Sequence, residues 1–403
     1  MSRVLRAHPL TESYALPIPP LVLAVAAGVV VLVVALAPPA RRRPAPAPTA
    51  TDVWQPGDDR LTRAQVVGRS LGVALLLIAV LAGRVGTDDQ LDNLAPALVV
   101  GIAWPLLFLA AAVLGPVWRY VDPWDSLARV MTPGSDPEPT VGRPPVWPAV
   151  VMVLPWLWFL GVHQDTLAPR SVGLVLALYS LVTVAGCLAL GRRRWLRTAE
   201  PLGILLGWLG WLPRGRLVGW QPAPGAEVLL GTVLGGLLFG VLRHSELWGN
   251  LNTIERADLA ATAGLLGCSL VGVLVVVACR ALTLPGGDPA AVARAVVPLL
   301  AAVVVAVGLE RNRLTTSLQL LPGLLGDPLG RGWDLLGTAN QGLDPAPFGV
   351  AGLMWLQAGV ILLGALAAVV ATTRWSAGRA ARLPAALAVA VVADAAVLLL
   401  TVH

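Results

Sequence analysis

The sequence has few charged residues and no lysine. Charged residues make up 13% of the 403 residues, about half of the roughly 25% typical of soluble domains, and every basic residue is arginine. A chain of this size cannot cover a water-exposed surface with so few charges, which excludes a soluble enzyme, a disordered chain and a nucleic-acid partner despite an isoelectric point near 10.2. The three cysteines lie in apolar stretches and do not form a disulfide framework.

Apolar residues dominate instead, at 56% of the chain with a mean hydropathy of +0.75. A bilayer core about 30 Å thick is crossed by about 20 apolar residues of helix, and ten stretches reach or approach that length. The sequence therefore predicts an all-α fold, a single transmembrane helical bundle over residues 1–403 with about ten spans. The spans are placed at Pro19–Leu36, Val66–Ala82, Leu94–Val117, Val146–Val162, Val172–Leu190, Val228–Leu242, Leu259–Cys279, Ala295–Ser317, Phe348–Ala371 and Leu383–Val402.

Arginine placement predicts the orientation of these spans. Odd-numbered loops hold more arginine than even-numbered ones, including the clusters Arg41–Arg43 and Arg192–Arg194. By the positive-inside rule the odd loops are cytoplasmic and both termini face outward. Within one cytoplasmic loop, Leu202–Leu212 is too short to span and predicts a helix lying in the membrane interface. The predicted location is the plasma membrane, with the lipid bilayer as partner.

Two glycine motifs lie inside predicted spans. Gly68–Gly72 matches the G-x-S-x-G pattern of a serine nucleophile, but a membrane helix is the wrong context for that chemistry. Its Arg69 is predicted to extend to the cytoplasmic surface. Gly231 and Gly235, like Gly236 and Gly240, have the spacing that lets membrane helices pack closely.

The eighth span carries the charges that point most clearly to a site. Glu310, Arg311 and Arg313 follow an apolar run that ends at Leu309, and a continuing helix would hold them in the outer half of the membrane. Helical spacing puts Glu310 and Arg313 on one face, with Arg311 and Thr315 beside it. Intramembrane charges face protein or a water-filled cavity, which indicates a functional site. The alternative is that the helix ends at Leu309 and these charges form an ordinary cap.

A glycine-rich block with three charges follows on the same predicted side. Asp327, Arg331 and Asp334 stand among glycine and proline residues that predict an ordered turn. The four histidines of the chain have no spacing typical of metal ligands. The metal content and any cofactor therefore remain unknown from the sequence.

The block Asp327–Gly337 resembles that of the actinobacterial membrane proteins called fenitrothion-hydrolase-like. Weaker agreement is found, in the same order along the chain, at Leu16–Pro19, Asp122–Trp124 and Gly191–Leu196. The resemblance implies hydrolysis of an organophosphate ester at the membrane. Histidines are typical of the family in the helix before the block, and this chain has Glu310, Arg311 and Arg313 there instead.

Three functions follow as hypotheses. The first is a membrane-embedded phosphoester hydrolase or anion-binding protein with an outward site. In it, Glu310, Asp327 and Asp334 would be catalytic, and Arg311, Arg313, Thr315 and Arg331 would hold an anionic or phosphoester small molecule. The second is a transporter that uses the intramembrane residues Asp394 and Glu310. The third is a non-catalytic membrane subunit whose charges pair with one another.

Overall fold

A computed structural model describes most of the chain. The described residues are 61–131, 144–213, 217, 220–251, 257–283, 288, 290–338, 342–344, 346–375 and 379–401, with Val25, Gly28 and Val29. Over these residues the protein is helical and has no strand, which confirms the all-α prediction.

Fifteen helices follow one another in the described part of the chain. They are α1 (Arg63–Val85), α2 (Leu94–Leu114), α3 (Trp118–Val121), α4 (Pro123–Met131), α5 (Trp147–Gly161), α6 (Pro169–Leu190), α7 (Arg192–Thr198), α8 (Pro201–Leu209), α9 (Ala226–Leu242), α10 (Glu246–Leu251), α11 (Ala257–Ala281), α12 (Ala291–Leu309), α13 (Arg313–Gly326), α14 (Gly349–Trp375) and α15 (Arg379–Thr401). Helix α2 contains a π-helical segment at Ala97–Ala103.

Seven of these helices, α1, α2, α6, α11, α12, α14 and α15, are long and apolar enough to cross a membrane. Helices α5 and α9 are apolar but shorter, with 15 and 17 residues. The first predicted span, Pro19–Leu36, lies outside the described residues except for Val25, Gly28 and Val29, which are helical. The long apolar helices are compatible with a membrane protein, while the count of ten spans and the placement of the termini stay predictions.

Helix α12 forms the centre of the bundle. Protein covers 94% of its apolar window, and its neighbours are α2, α9, α14 and α15. At its first turn, the buried Arg294 donates to the backbone oxygen of Trp220 over 2.8 and 2.6 Å and pairs with Asp288. A charged side chain can therefore be buried at this end because its donors meet acceptors.

Small residues let α9 and α11 pack closely. A methyl group added at Gly235 would overlap the backbone oxygen of Cys268, and one at Gly231 would lie 2.5 Å from Cα of Val273. Such distances are shorter than van der Waals contact, so only glycine fits at these positions. The packing role predicted for this motif is confirmed.

Helix α8 corresponds to the segment predicted to lie in the membrane interface. Its residues are buried among α2, α5, α7 and α12, including Ile204, Leu205, Leu206 and Leu209. Protein therefore covers the apolar surface of this helix. Its depth relative to a bilayer stays a prediction.

Helices α1 and α6 run antiparallel and separate two charged regions. At one end Arg170 forms an exposed bidentate ion pair with Asp88, over 2.5 and 3.0 Å. At the other end Asp125 pairs with Arg69 of α1 and with Arg192. With 23 residues, α1 holds these regions about 30 Å apart.

Candidate functional site

The eighth predicted span is broken where the charges lie. Helix α12 ends at Leu309, the 3-10 turn Glu310–Asn312 follows, and α13 begins at Arg313. Arg311 has φ +53°, the one positive φ of a non-glycine residue in the described part of the chain. The predicted span Ala295–Ser317 is therefore not one helix, because the left-handed Arg311 interrupts the hydrogen-bond ladder. The alternative prediction, that the helix ends at Leu309, agrees with the end of α12.

The break leaves the backbone oxygen of Ala306 without its helical hydrogen bond, and a side chain of another helix donates to it instead. The amide of Glu310 donates to Val307 instead of to Ala306. Gln357 of α14 donates its side-chain amide to the oxygen of Ala306 over 3.0 Å, and the bond is buried. Because a buried carbonyl needs a partner, Gln357 stabilises the end of α12 in this form.

Glu310 and Arg313 face a small cavity inside the bundle. The cavity measures about 30 Å³ and lies between α2, α5, α9 and α12. Glu310 is 4% exposed. Its Oε1 has no hydrogen-bond partner and lies 3.9 Å from Nε of Arg311. A cavity of this size holds a water molecule but not an organophosphate ester.

The block Asp327–Gly337 forms an ordered turn, as predicted. Asp327 accepts backbone N–H bonds from Arg331, Gly332 and Trp333 over 2.9, 2.5 and 2.9 Å. Burial raises the pKa of Asp327, but these N–H bonds outweigh it and hold the pKa below its ordinary value. Asp334 accepts from the amide of Thr338 over 2.7 Å. Both carboxylates thus hold the backbone of their own loop.

The predicted site residues lie in two separate places. Helix α13 has 14 residues and is about 20 Å long. Glu310, Arg311 and Arg313 lie at its beginning, and Thr315 is half-buried in its first turn. Asp327, Arg331 and Asp334 lie beyond its end, and Arg331 is exposed. The seven residues therefore do not surround one small molecule.

A larger cavity, which we call the lateral cavity, lies elsewhere and was not predicted. It measures about 410 Å³ and is lined by residues of α1, α2, α3, α4, α5, α6 and α8. Leu75 of α1 and Val99, Ala103 and Leu107 of α2 line it and are only half-buried. Helices α1 and α2 make few close contacts beyond Leu94–Pro96, and from this we infer that the cavity opens sideways between them.

A buried ionic cluster adjoins one end of the lateral cavity. Asp125 is fully buried and accepts from Arg69, from Arg192 over 2.6 Å and from Arg129 over 3.0 Å. Arg69 also donates its Nε to the backbone oxygen of Arg119 over 2.9 Å. The prediction that Arg69 extends to the surface is wrong, because its side chain is 2% exposed and pairs with Asp125.

Two further carboxyl groups border this cluster. Asp122 accepts the amides of Trp124 and Asp125 over 3.1 and 3.0 Å. Burial, with Asp125 and Glu200 nearby, raises the pKa of Asp122 to about 8. Glu200 accepts from the Tyr179 hydroxyl and from the amide of Gly203. Burial raises the pKa of Glu200 to about 7.

The G-x-S-x-G match serves packing around this cluster. A methyl group at Gly68 would overlap the backbone oxygen of Tyr120, and one at Gly72 would overlap that of Val121. Ser70 between them is exposed. The two glycines let α3 approach α1, and this approach brings Arg69 to the segment that carries Asp125.

Asp394 lies in α15 against the backbone of Gly28. A methyl group on Gly28 would come within 2.5 Å of its Oδ2, and its Oδ1 has no hydrogen-bond partner. No group of three metal-ligating side chains is found within the described residues.

Comparison with protein-family models, with curated proteins and with solved structures gives no match. The resemblance to the fenitrothion-hydrolase-like proteins therefore stays a prediction.

Proposed function

We propose that the protein is an integral membrane protein that binds a bilayer amphiphile by its hydrocarbon chain. The observation that carries this proposal is the lateral cavity, an apolar space of about 410 Å³ that opens between α1 and α2. Ligand cavities in proteins measure about 300–1,000 Å³. Both helices are long enough to span a bilayer, so the opening faces lipid rather than water.

The chemistry of the walls favours a hydrocarbon occupant. Leucine, valine and alanine dominate the lining of α1 and α2, and Trp104 and Trp156 add aromatic surface. An apolar wall attracts apolar chains and offers few partners to a polar solute. Lipid chains are the apolar molecules present at the opening in highest amount, which makes them the expected occupants.

Bound lipid can be measured directly on the purified protein. We expect native mass spectrometry, after exchange into mild detergent, to find one lipid retained per chain. Ala103→Trp places an indole in the opening and should reduce this retention severalfold. Leu109→Trp is the matched control, because Leu109 lies on the same helix, is 42% exposed and does not line the cavity.

Equal retention in the wild type and in both variants would contradict the proposal. Loss of lipid in both variants would indicate a general effect of tryptophan on α2 instead of occupation of the cavity. Thermal unfolding of each variant shows whether the bundle remains folded.

The hydrolase and the transporter remain separate hypotheses. Organophosphate hydrolysis is tested with an aryl phosphotriester and Glu310→Gln, and the separation of Glu310 from Asp327 leads us to expect no turnover. The break between α12 and α13 favours the transporter hypothesis, because broken helices line ion sites in transporters. Proton uptake by proteoliposomes, compared between the wild type and Glu310→Gln, tests that hypothesis.

A further inference from the structure

Two side chains of opposite charge line the small cavity at the break between α12 and α13. Glu310 is 4% exposed and Arg313 is half-buried, and both line this space of about 30 Å³. Buried opposite charges normally pair directly, because each loses its hydration on burial. Within the described residues, however, no ion pair or hydrogen bond joins Glu310 to Arg313. The partner of both charges is therefore to be sought in the cavity that both side chains line.

Both side chains have hydrogen-bonding capacity that the protein does not use. Oε1 of Glu310 is enclosed and has no hydrogen-bond partner, so the second oxygen of the carboxylate is the one that can reach the cavity. The nearby Arg311 is 59% exposed, and its Nε lies 3.9 Å from Oε1, so solvent screens its charge. The guanidinium group of Arg313 makes no hydrogen bond to the described part of the chain. The carboxylate thus lacks a donor and the guanidinium group lacks an acceptor.

Water matches this pair of charges better than an ion does. One water molecule donates to a carboxylate and accepts from a guanidinium group at the same time. A cation in the cavity would be repelled by Arg313, and an anion would be repelled by Glu310. Glycine, aliphatic residues and Trp104 form the rest of the lining, and a space of this size holds about one water molecule.

We propose that the small cavity binds one water molecule that bridges the carboxylate of Glu310 and the guanidinium group of Arg313. The water connects the end of α12 to the first residue of α13 across the left-handed Arg311. It also lets Glu310 keep its charge inside the bundle, because a bound water replaces part of the hydration lost on burial. This site is separate from the lateral cavity, so neither proposal rests on the other.

Gly240 offers a way to fill the site without changing either charge. A methyl group at Gly240 meets only Cα of Gly161, at 3.8 Å, and both glycines line the small cavity. Gly240→Ala therefore fits sterically and occupies space that the water needs. Gly267→Ala on α11 is the matched control, because Gly267 is exposed, does not line the cavity and has nothing within 4 Å of the added atom.

The sign of the change in Tm distinguishes a water-filled cavity from an empty one. A methyl group that fills an empty cavity stabilises a protein, and alanine is a better helix former than glycine. An empty cavity thus predicts that Gly240→Ala raises the Tm. A bridging water predicts the opposite, a Tm about 2 °C or more below that of Gly267→Ala, because hydrogen bonds to charged groups are lost. We expect this second result.

A background without the two charges separates the loss of water from a steric effect. In the double variant Glu310→Leu, Arg313→Met, no charges remain to be bridged, so Gly240→Ala should no longer lower the Tm. An equal loss in this background would overturn the proposal. So would a Tm of Gly240→Ala at or above that of Gly267→Ala in the otherwise unchanged protein.

Salt exchange tests chloride as the occupant instead of water. We expect the Tm of the wild type to be the same in sodium chloride and in sodium gluconate at equal concentration. A Tm that rises with chloride in the wild type, but not in Gly240→Ala, would assign the cavity to an anion and overturn the bound water.

Discussion

At the scale of single residues, the pair Arg69–Asp125 matters most for stability. Both side chains are buried, and removal of one partner of a buried ion pair costs about 3–5 kcal/mol. Arg69→Met should therefore lower the free energy of unfolding by about this amount, measured by thermal or chemical unfolding in detergent. Arg84→Met is the control, since Arg84 lies on the same helix and is exposed. A similar loss in both variants would contradict the importance of the pair.

The raised pKa of Glu200 predicts how the stability of the protein depends on pH. Its pKa of about 7 lies above the ordinary value of 4.5, so the folded protein binds more protons than the unfolded chain between these values. Stability should fall as the pH rises from about 4.5 to 7, by up to about 1.4 kcal/mol per pH unit. Glu200→Gln should make this dependence shallower. Parallel pH profiles for the variant and the wild type would refute the prediction.

The sequence showed which charged residues interrupt the apolar stretches, but it did not show which residues they pair with. Glu310 and Arg313 stood out because they interrupt an apolar run, and they do share a cavity. Arg69 gave the same signal inside a span, yet its partner Asp125 lies 56 residues away. Spacing rules pair residues within one helix, so they cannot find a contact that the arrangement of α1 and α4 creates.

At the scale of helices, the packing of α9 on α11 depends on glycine. Gly235→Ala places a methyl group against the carbonyl of Cys268, and overpacking of this kind costs about 1–3 kcal/mol. Gly267→Ala on α11 is the matched control, because nothing lies within 4 Å of the added atom. Thermal unfolding should show a loss for the first variant and little change for the second. Equal stability of Gly235→Ala and Gly267→Ala would show that α9 can move away from α11 to accommodate the methyl group.

Apolar length predicted the existence of most helices well. Eight of the ten predicted spans each coincide with one helix in the described residues and a ninth, Ala295–Ser317, covers parts of two, because long apolar stretches have few other structures in a membrane. Whether the helix continues past Leu309 was left open by the sequence, because arginine is a good helix former. Only contacts from other helices, such as Gln357 on Ala306, stabilise the interrupted form.

At the scale of the whole molecule, the orientation in the membrane can be tested by labelling. Asp89 and Arg194 are exposed and lie near opposite ends of the α1–α6 pair. In a variant whose native cysteines are replaced by alanine, a membrane-impermeant maleimide should label Asp89→Cys on intact cells. Arg194→Cys should react only after lysis, as the positive-inside rule requires. The reverse pattern would invert the topology.

The lateral cavity shows what sequence patterns leave out at this scale. Its walls come from seven helices, and most wall residues taken alone are ordinary apolar residues of a helix. The space lies where α1 and α2 make few contacts. Hydropathy indicates which residues avoid water, but it does not predict which helices pack against one another.

The burial of α12 has a consequence for how the protein is made. During synthesis the helices of a membrane protein enter the bilayer one at a time, so each helix contacts lipid before the helices that will pack against it have been inserted. For α12, contact with lipid is therefore a stage of biogenesis and not a property of the finished protein. Its valines and leucines serve membrane insertion first and helix packing afterwards. A substitution on α12 can therefore act at two stages. It can change the insertion of the helix into the membrane, and it can change the packing of the helix in the assembled bundle.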